Sequence, residues 1–161
     1  MTWVIAENAL GYPGIGSVAG ASDVAVGTIV RGRHPTLGAG EFIFLKGVAS
    51  TAVGSWVTYN IDDGTTDLLA ANAIGPVAIA TAATVANTGG WYQISGKASG
   101  LALASFADNA NVYATATAGS VDDAIVAGDR VKNAKGASTI VGAGLAEFEI
   151  ARPFMDDGLA A

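Results

Sequence analysis

The sequence contains no cysteine, a single histidine and few charged residues of either sign. Without cysteine, the chain has no disulfide framework, no thiolate zinc site and no cysteine nucleophile. One imidazole, that of His34, cannot supply a multi-histidine metal site, and a lone histidine in a turn is usually solvated or bonded locally. These shortages predict a protein that is not an enzyme and has no catalytic residues, metal ligands or cofactor-binding residues.

Charged side chains form 14% of the chain, and the formal net charge is −6. Soluble domains typically carry about 25% charged residues. The eight basic residues are scattered. We expect their one cluster, at positions 130–135, to be neutralised by the nearby Asp122, Asp123 and Asp129. Because binding to the phosphates of nucleic acid needs a basic surface, the sequence predicts no direct binding of nucleic acid.

Long apolar runs and a basic leader are also missing. The first basic residue is Arg31, so the sequence predicts no secretory signal. The uncharged stretch 68–96 is interrupted by Asn72, Pro76 and Asn87, and no window of about 20 residues stays strongly apolar. We therefore expect two short strands in this stretch and no membrane partner.

Two ligand-binding motifs are matched only in part. Residues 14–19 (GIGSVA) fit a loose dinucleotide fingerprint, but no buried strand is predicted before them and no helix after them. Residues 60–64 (NIDDG) fall one position short of a calcium loop, and no glutamate closes it. The adjacent aspartates at 62–63 and 122–123 make poor acid/base pairs, because neighbours in a strand point to opposite faces. These pairs and the pair at 156–157 are predicted to be solvated turn residues.

Small and apolar residues dominate what is present: 51% of the residues are hydrophobic and 22 are glycine. A chain of 161 residues fits one domain. Residues 1–24 are rich in glycine and lack periodicity, which predicts an extended N-terminal arm. Residues 25–161 are predicted to form a β domain. The low charge of this domain indicates a surface that other chains cover in part.

Strand signals recur from residue 26 onward, at intervals of roughly 8–12 residues. Branched and aromatic residues predict strands at 26–30, 41–47, 56–61, 77–81, 90–97, 100–104, 111–116, 130–132, 138–141 and 146–151. In the sequence WYQIS at 91–95, Tyr92 and Ile94 should share one face of a strand, and Trp91, Gln93 and Ser95 the other.

Helix signals are weak. Residues 66–73 are predicted to form about two helical turns capped by Thr66 or Asp67, and residues 105–109 a single turn. An α/β fold requires amphipathic helices of ten or more residues between strands, and the sequence has none. The predicted class is therefore all-β: a single-domain β-sandwich or partly closed β-barrel, with an extended Gly-rich N-terminal arm and at most one or two short helices.

Four segments of the chain carry a resemblance to a known class of proteins. They are VRGRHPTLGAGEFIFLKGVASTAVGSWVTYN (30–60), GWYQISG (90–96), FADNANVY (106–113) and EIARPFM (149–155). From about residue 26 the chain resembles small structural proteins encoded among the head genes of tailed bacteriophages, and in particular capsid decoration (cement) proteins. Members of that class are compact β domains, commonly trimers, that sit where capsomers meet and reinforce the shell.

The resemblance implies a virion structural protein that decorates and stabilises the capsid by binding the outer surface of the major capsid protein shell. Its expected partners are the major capsid protein and, in a homotrimer, further copies of itself. It would be made in the cytoplasm of a host bacterium and end on the capsid surface. Two alternatives stay open: another virion component, such as a tail or minor head protein, and a carbohydrate-binding module that uses aromatics such as Trp91 and Tyr92.

Overall fold

The computed structural model describes residues 3–6 and 11–156. The regular secondary structure within these ranges consists of β-strands and includes no helix. Twelve strands follow one another along the chain. They are β1 (Val4–Ile5), β2 (Ala19–Gly20), β3 (Ile29–His34), β4 (Gly38–Lys46), β5 (Trp56–Tyr59), β6 (Thr66–Leu68), β7 (Val77–Ala80), β8 (Thr88–Ala102), β9 (Asn111–Ala114), β10 (Val121–Asp122), β11 (Arg130–Gly136) and β12 (Gly144–Met155). The described ranges contain no helix long and apolar enough to cross a membrane.

Strand β8 organises the fold because it pairs along both of its edges. One edge pairs with β4 from Gly89 to Gly96. The other edge pairs with β2 at Thr88 and Gly89, then with β7 and, from Ser95 onward, with β12. The last residue of β8, Ala102, also pairs in parallel with Val121 of β10. One half of this 15-residue strand therefore belongs to an open sheet, and the other half to a ring of strands.

The carboxyl-terminal half of β8 closes a ring with β12, β11, β9 and β10. These strands share an apolar cluster that also includes residues of β5 and β7. Within it, the ring centroid of Phe148 lies 4.9 Å from that of Trp56 and 5.2 Å from that of Phe106, and both pairs pack edge to face. Because alanine buries little area, large aromatic side chains contribute much of the apolar burial in this core.

The other strands form an open antiparallel sheet around the amino-terminal half of β8, and both of its faces are buried. One face carries Tyr92 and Ile94 in a cluster with residues of β4, β5 and β7. The opposite face carries Phe42, Phe44 and Trp91. The predicted separation of Tyr92 and Ile94 from Trp91 is thus confirmed, as the two-residue period of a strand requires.

Part of the predicted N-terminal arm covers the second of these faces. Ile15 and Val24 are buried in the cluster that contains Phe42, and Trp91 Nε1 donates a hydrogen bond to the carbonyl oxygen of Pro13 at 2.9 Å. Strand β1 pairs with β3, and β2 pairs with β8. The described residues of segment 1–24 therefore lie against this chain's own sheet, whereas the boundary at residue 24 stays a prediction.

The helix predicted over residues 66–73 is wrong. Thr66–Leu68 is instead strand β6, which pairs with β5, and Leu69 N donates to Trp56 O at 2.9 Å. Leu69 is fully buried, so packing and sheet pairing outweigh the helix propensity of this leucine- and alanine-rich segment. Residues 105–109 contain no helical turn either, because Ser105 and Asn109 have positive φ angles of 68° and 61°.

Most predicted strands overlap observed ones, and the all-β class with partial ring closure, as in a β-sandwich or partial barrel, is confirmed. The segments predicted at 90–97 and 100–104 are parts of the single strand β8. Residues 138–141 form no strand, and Val141 O accepts a hydrogen bond from Ser105 N at 3.0 Å instead. The two residues of β10 are too few to give a sequence signal.

Candidate interaction surface

The outer face of the β8–β12 pair changes from charged to uncharged along its length. Side chains two residues apart share a face of a strand. Lys97, Ser99 and Leu101 therefore point outward together from β8, as Glu147 and Leu145 do from β12, while the residues between them are buried. The register pairs Glu147 with Ser99 and Leu145 with Leu101. The uncharged ends of the two strands thus lie side by side.

Ion pairs cover the charged end of this face. Lys97 Nζ lies 2.6 Å from Glu147 Oε2, and Lys135 Nζ lies 3.3 Å from Glu149 Oε2. These side chains are partly exposed, so each pair contributes about 0–1 kcal/mol to stability. The charges at this end already have partners within the chain.

The basic side chains at 130–135 have polar partners that are distant along the chain, whereas the expected cancellation of their field by Asp122, Asp123 and Asp129 stays a prediction. Lys132 Nζ lies 2.9 Å from Asp156 Oδ1, and Arg130 donates to Asn111 Oδ1 at 3.1 Å. Asp122, Asp123 and Asp129 accept hydrogen bonds from backbone N–H groups. The direct partners of the basic side chains come from segments that the fold, not the sequence, places beside them.

A continuous part of the protein surface carries no charge. We define the uncharged surface as residues 48–54, 82–88, 99–105 and 138–145, which contain no acidic or basic side chain. Backbone hydrogen bonds join the four segments. These bonds are Val48 N to Thr84 O (3.2 Å), Leu101 N to Gly54 O (2.8 Å) and Ser105 N to Val141 O (3.0 Å). The segments therefore form one surface, although they are far apart in the sequence.

Apolar side chains are exposed on the uncharged surface. Their exposed fractions are 44% at Val85, 50% at Val53, 50% at Leu145 and 90% at Val141. A Cβ atom on Gly54 would collide with Leu145 Cδ2, so the loop 48–54 packs directly against the start of β12. Covering this surface would remove apolar area from water without removing the hydration shell of a charged group.

The single histidine has a local structural role. His34 Nδ1 accepts hydrogen bonds from the backbone N–H groups of Thr36 and Leu37, both at 3.2 Å. Because Nδ1 is the acceptor, a proton on the neutral ring lies on Nε2. The two bonds close the turn between β3 and β4. The indole of Trp3 packs against the imidazole, with ring centroids 5.2 Å apart.

Residues 60–64 form a turn that is closed by their own side chains. Asn60 Oδ1 accepts a hydrogen bond from Asp62 N at 2.9 Å, and Asp63 Oδ1 accepts one from Thr65 N at 3.0 Å. The Thr65 N–H group holds the pKa of the Asp63 carboxyl below its ordinary value. These side-chain oxygens therefore have the turn role that the sequence predicts. Of the aspartate pair 156–157, residue 157 lies outside the described residues.

The glycine-rich segment 14–19 also forms a turn. Ser17 N donates to Gly14 O at 3.1 Å, and the short strand β2 begins at Ala19. A dinucleotide fingerprint holds a pyrophosphate at the N-terminus of the helix that follows it. A strand takes the place of that helix here, so the segment does not have the geometry of a dinucleotide-binding loop.

One buried carboxylate has no signal in the sequence. Asp129 is 3% exposed, and its Oδ1 accepts a hydrogen bond from Asn72 N at 2.6 Å. This bond joins the turn after β6 to the turn before β11. Its role is structural, because it satisfies a backbone donor between two loops.

The aromatics considered for sugar stacking are not available to a ligand. Trp91 and Tyr92 are fully buried. Phe44 packs edge to face on Trp91 at a centroid distance of 5.3 Å, and the Tyr92 hydroxyl is hydrogen-bonded to that of Thr84. A sugar on this protein would therefore need a different aromatic side chain.

No protein-family model matches the chain, and no curated protein matches its sequence. Within residues 3–6 and 11–156, no group of three or more His, Cys, Asp or Glu side chains could hold a metal ion.

Proposed function

We propose that this protein is a non-enzymatic component of a tailed-bacteriophage virion, which decorates the capsid and stabilises it by binding the outer surface of the major capsid protein shell. The observation that carries the proposal is the uncharged surface. The resemblance of four segments to capsid decoration proteins suggests the partner. Following that class, we further propose that the protein is made in the host cytoplasm and assembles as a homotrimer on the capsid.

The chemistry of the uncharged surface suits contact with another protein. The cores of protein interfaces are depleted of charge, because an unpaired charge loses its hydration on docking. Val53, Val141 and Leu145 supply exposed apolar area, and the small residues around them allow close approach. A stable contact buries about 1,200–2,000 Å² in total, which four adjoining segments can provide more readily than one loop.

The fold holds this surface in place before any partner binds. Loop 48–54 is tied to the sheet by hydrogen bonds from Gly54 N to Ala80 O and from Leu101 N to Gly54 O, both at 2.8 Å. Leu145 lies opposite Leu101 on paired strands. A preorganised surface loses little conformational entropy on docking. Binding only to the assembled shell would then shift the equilibrium toward intact particles.

The test uses capsids of the encoding phage prepared without this protein, together with the purified full-length chain. We expect the wild type to cosediment with these capsids. The double variant Val53→Asp/Leu145→Asp should bind at least about tenfold more weakly, because two carboxylates would have to be desolvated. Ile61→Asp is the matched control, since Ile61 is exposed but lies outside the uncharged surface.

Wild-type binding by the double variant, or an equal loss in the control, would contradict the assignment of this surface. A cryo-EM reconstruction of the native particle separates the other virion roles: we expect density on the outer capsid surface. Density on the tail or inside the head would instead identify a tail or minor head protein. A chain that stays monomeric and does not bind the capsids would overturn the proposal as a whole.

A further inference from the structure

We propose that a small cavity beside the uncharged surface binds one neutral sugar residue of a glycan. The cavity has a volume of about 180 Å³ and lies between the turn after β3, the loop 48–54 and the paired strands β7 and β8. Trp3, Leu37 and Val53 form apolar walls, and Gln93 and Ser99 supply polar groups. The proposal concerns a second binding activity and does not depend on the virion role.

Gln93 lines the cavity and is the one lining residue with a side-chain amide. Gln93 is 2% exposed, and its Nε2 donates to Ser95 O at 3.0 Å and to Lys97 O at 3.1 Å. Two carbonyl acceptors fix which amide atom is nitrogen, so the other atom, Oε1, is the oxygen. No described residue donates a hydrogen bond to Oε1. A carbonyl oxygen without a donor from the protein can accept a hydrogen bond from a ligand, and a sugar hydroxyl supplies one.

Two hydroxyl groups, those of Ser99 and Thr81, add to the polar groups of the cavity. Ser99 is exposed at the cavity, and its hydroxyl makes no hydrogen bond to the described residues. Thr81 also lines the cavity; its Oγ1 donates to Trp91 O at 2.6 Å and keeps lone pairs that can accept from a ligand. The cavity therefore offers acceptors and one rotatable hydroxyl, which matches a ligand that carries several O–H donors.

An aromatic side chain, that of Trp3, lines the cavity together with the polar groups. The indole of Trp3 is held by Phe42, at a centroid distance of 5.0 Å, and by His34. A sugar ring has C–H faces that pack on an aromatic side chain and hydroxyls at its edge that bind polar groups. The combination of Trp3 with Gln93 and Ser99 fits this amphipathic shape better than it fits a purely apolar molecule.

The size of the cavity and the charge of its lining restrict the class of ligand further. No Asp, Glu, Lys or Arg side chain lines the cavity, and the one imidazole in the lining, that of His34, has its Nδ1 bonded to the backbone N–H groups of Thr36 and Leu37. An ionic ligand would therefore lose its hydration without gaining a permanently charged partner. The cavity is small, with a volume of about 180 Å³. This space admits one sugar ring, and further units of a glycan would extend into solvent past Ser99.

The test is a titration of the full-length chain with neutral monosaccharides: glucose, galactose, mannose, rhamnose and N-acetylglucosamine. Binding is measured by calorimetry and by saturation-transfer NMR. For a ligand of about a dozen heavy atoms, we expect a Kd on the order of 1 mM for at least one of these sugars. Acetate and phenol serve as the anionic and apolar comparison ligands, and we expect both to bind more weakly than the best sugar.

Three variants assign the binding to this cavity. Ser99→Leu should fill the cavity mouth, and Trp3→Ala should remove the aromatic wall, so each should weaken sugar binding at least about tenfold. Trp3→Phe keeps an aromatic face and should retain part of the affinity. Thr139→Leu is the control, because Thr139 is exposed and does not line the cavity. Thermal melts verify that each variant is folded.

Three results would overturn the proposal. The first is that none of the five sugars binds the wild type. The second is that Ser99→Leu binds sugar as well as the wild type does. The third is that phenol or acetate binds more tightly than every sugar, which would identify an apolar or anionic site. Capsid binding by the same preparations is scored separately, so a failure of either proposal is distinguishable from a failure of the other.

Discussion

Gly100 lies beneath the indole of Trp56, where a side chain would occupy space that the indole fills. A Cβ atom at this position would be 2.6 Å from Trp56 Nε1 and 3.2 Å from Phe148 Cδ2. Both aromatic side chains are fully buried and pack edge to face, so neither can move without disturbing the other. Trp56 Nε1 also has no hydrogen-bond partner among the described residues. Packing alone therefore holds the indole in place.

We expect Gly100→Ala to lower the free energy of unfolding by about 1–3 kcal/mol, because the added methyl group overpacks the core. Gly142→Ala is the control, since no atom lies within 4 Å of a Cβ at that position. Its effect should stay within about 1 kcal/mol and can be stabilising, because alanine restricts the unfolded chain. Urea denaturation of both variants measures the difference. A loss at Gly142 equal to that at Gly100 would show that backbone restriction, not packing, is the cause.

A second residue-level prediction concerns alkaline pH. Burial raises the pKa of the Tyr92 phenol above its ordinary value near 10, against a smaller opposing effect of the hydrogen bond with Thr84. The unfolded chain then loses this proton at a lower pH than the folded chain does. Stability should therefore fall as the pH rises above about 10. Tyr92→Phe should show a shallower fall in melting temperature over this range; an unchanged slope would contradict the role of Tyr92.

At the scale of elements, the N-terminal segment 11–24 forms a layer over one face of the open sheet and is tied to that sheet by the pairing of β2 with β8. Ile15 anchors it, because its Cδ1 would touch any Cβ placed on Gly32 of β3 and its side chain is buried beside Phe42. The ring formed by β8 to β12 makes its contacts elsewhere. Loss of the anchor should thus open this layer without loosening the ring.

We expect Ile15→Ala to increase amide hydrogen exchange in residues 11–24, because the substitution leaves a cavity at the anchor. Exchange in β9, β11 and β12 should stay at the wild-type level. Val18→Ala, at a half-exposed position of the same segment, is the control and should change neither region. The measurement is hydrogen exchange followed by mass spectrometry. Equal acceleration in the ring strands would mean that the two parts unfold together.

The same scale explains what the sequence could predict. The all-β class follows from local signals, since β4 and β8 are rich in branched and aromatic residues between turns. Strand β6 was mistaken for a helix because its identity depends on pairing with β5, which local propensity does not report. The gap predicted between residues 97 and 100 is absent because β12 pairs with β8 through it. Each of these errors arose because the structure there depends on non-local strand pairing, which the local sequence does not report.

In the candidate sites, too, some features can be read from the sequence and others only from the fold. The absence of charge in residues 48–54 or 138–145 is visible in the sequence, but their adjacency is not. Only the fold brings loop 48–54 against the start of β12. The proposed sugar cavity combines Trp3 with Gln93, which are far apart along the chain. The sequence singled out Trp91 and Tyr92 as sugar-stacking candidates because composition does not report burial, and these two residues are core.

At the scale of the whole molecule, the proposed capsid contact and the net charge together predict how the affinity for capsids depends on salt. The chain carries a formal charge of −6, yet the uncharged surface contains none of the groups that carry it. Salt screens charges over a Debye length of about 10 Å at 0.1 M, so it acts strongly on interfaces made of charges and weakly on apolar ones. A contact through the uncharged surface should therefore be insensitive to moderate salt.

We expect the affinity for capsids to change by less than about threefold between roughly 0.05 and 0.5 M sodium chloride. Sulfate, which is excluded from protein surfaces and strengthens apolar burial, should raise the affinity at equal ionic strength. Cosedimentation across the two salt series measures both effects. An interface formed by the ion pairs of β11 and β12 would weaken steeply with sodium chloride. That result would move the capsid contact to the charged end of the β8–β12 face and would contradict the assignment made here.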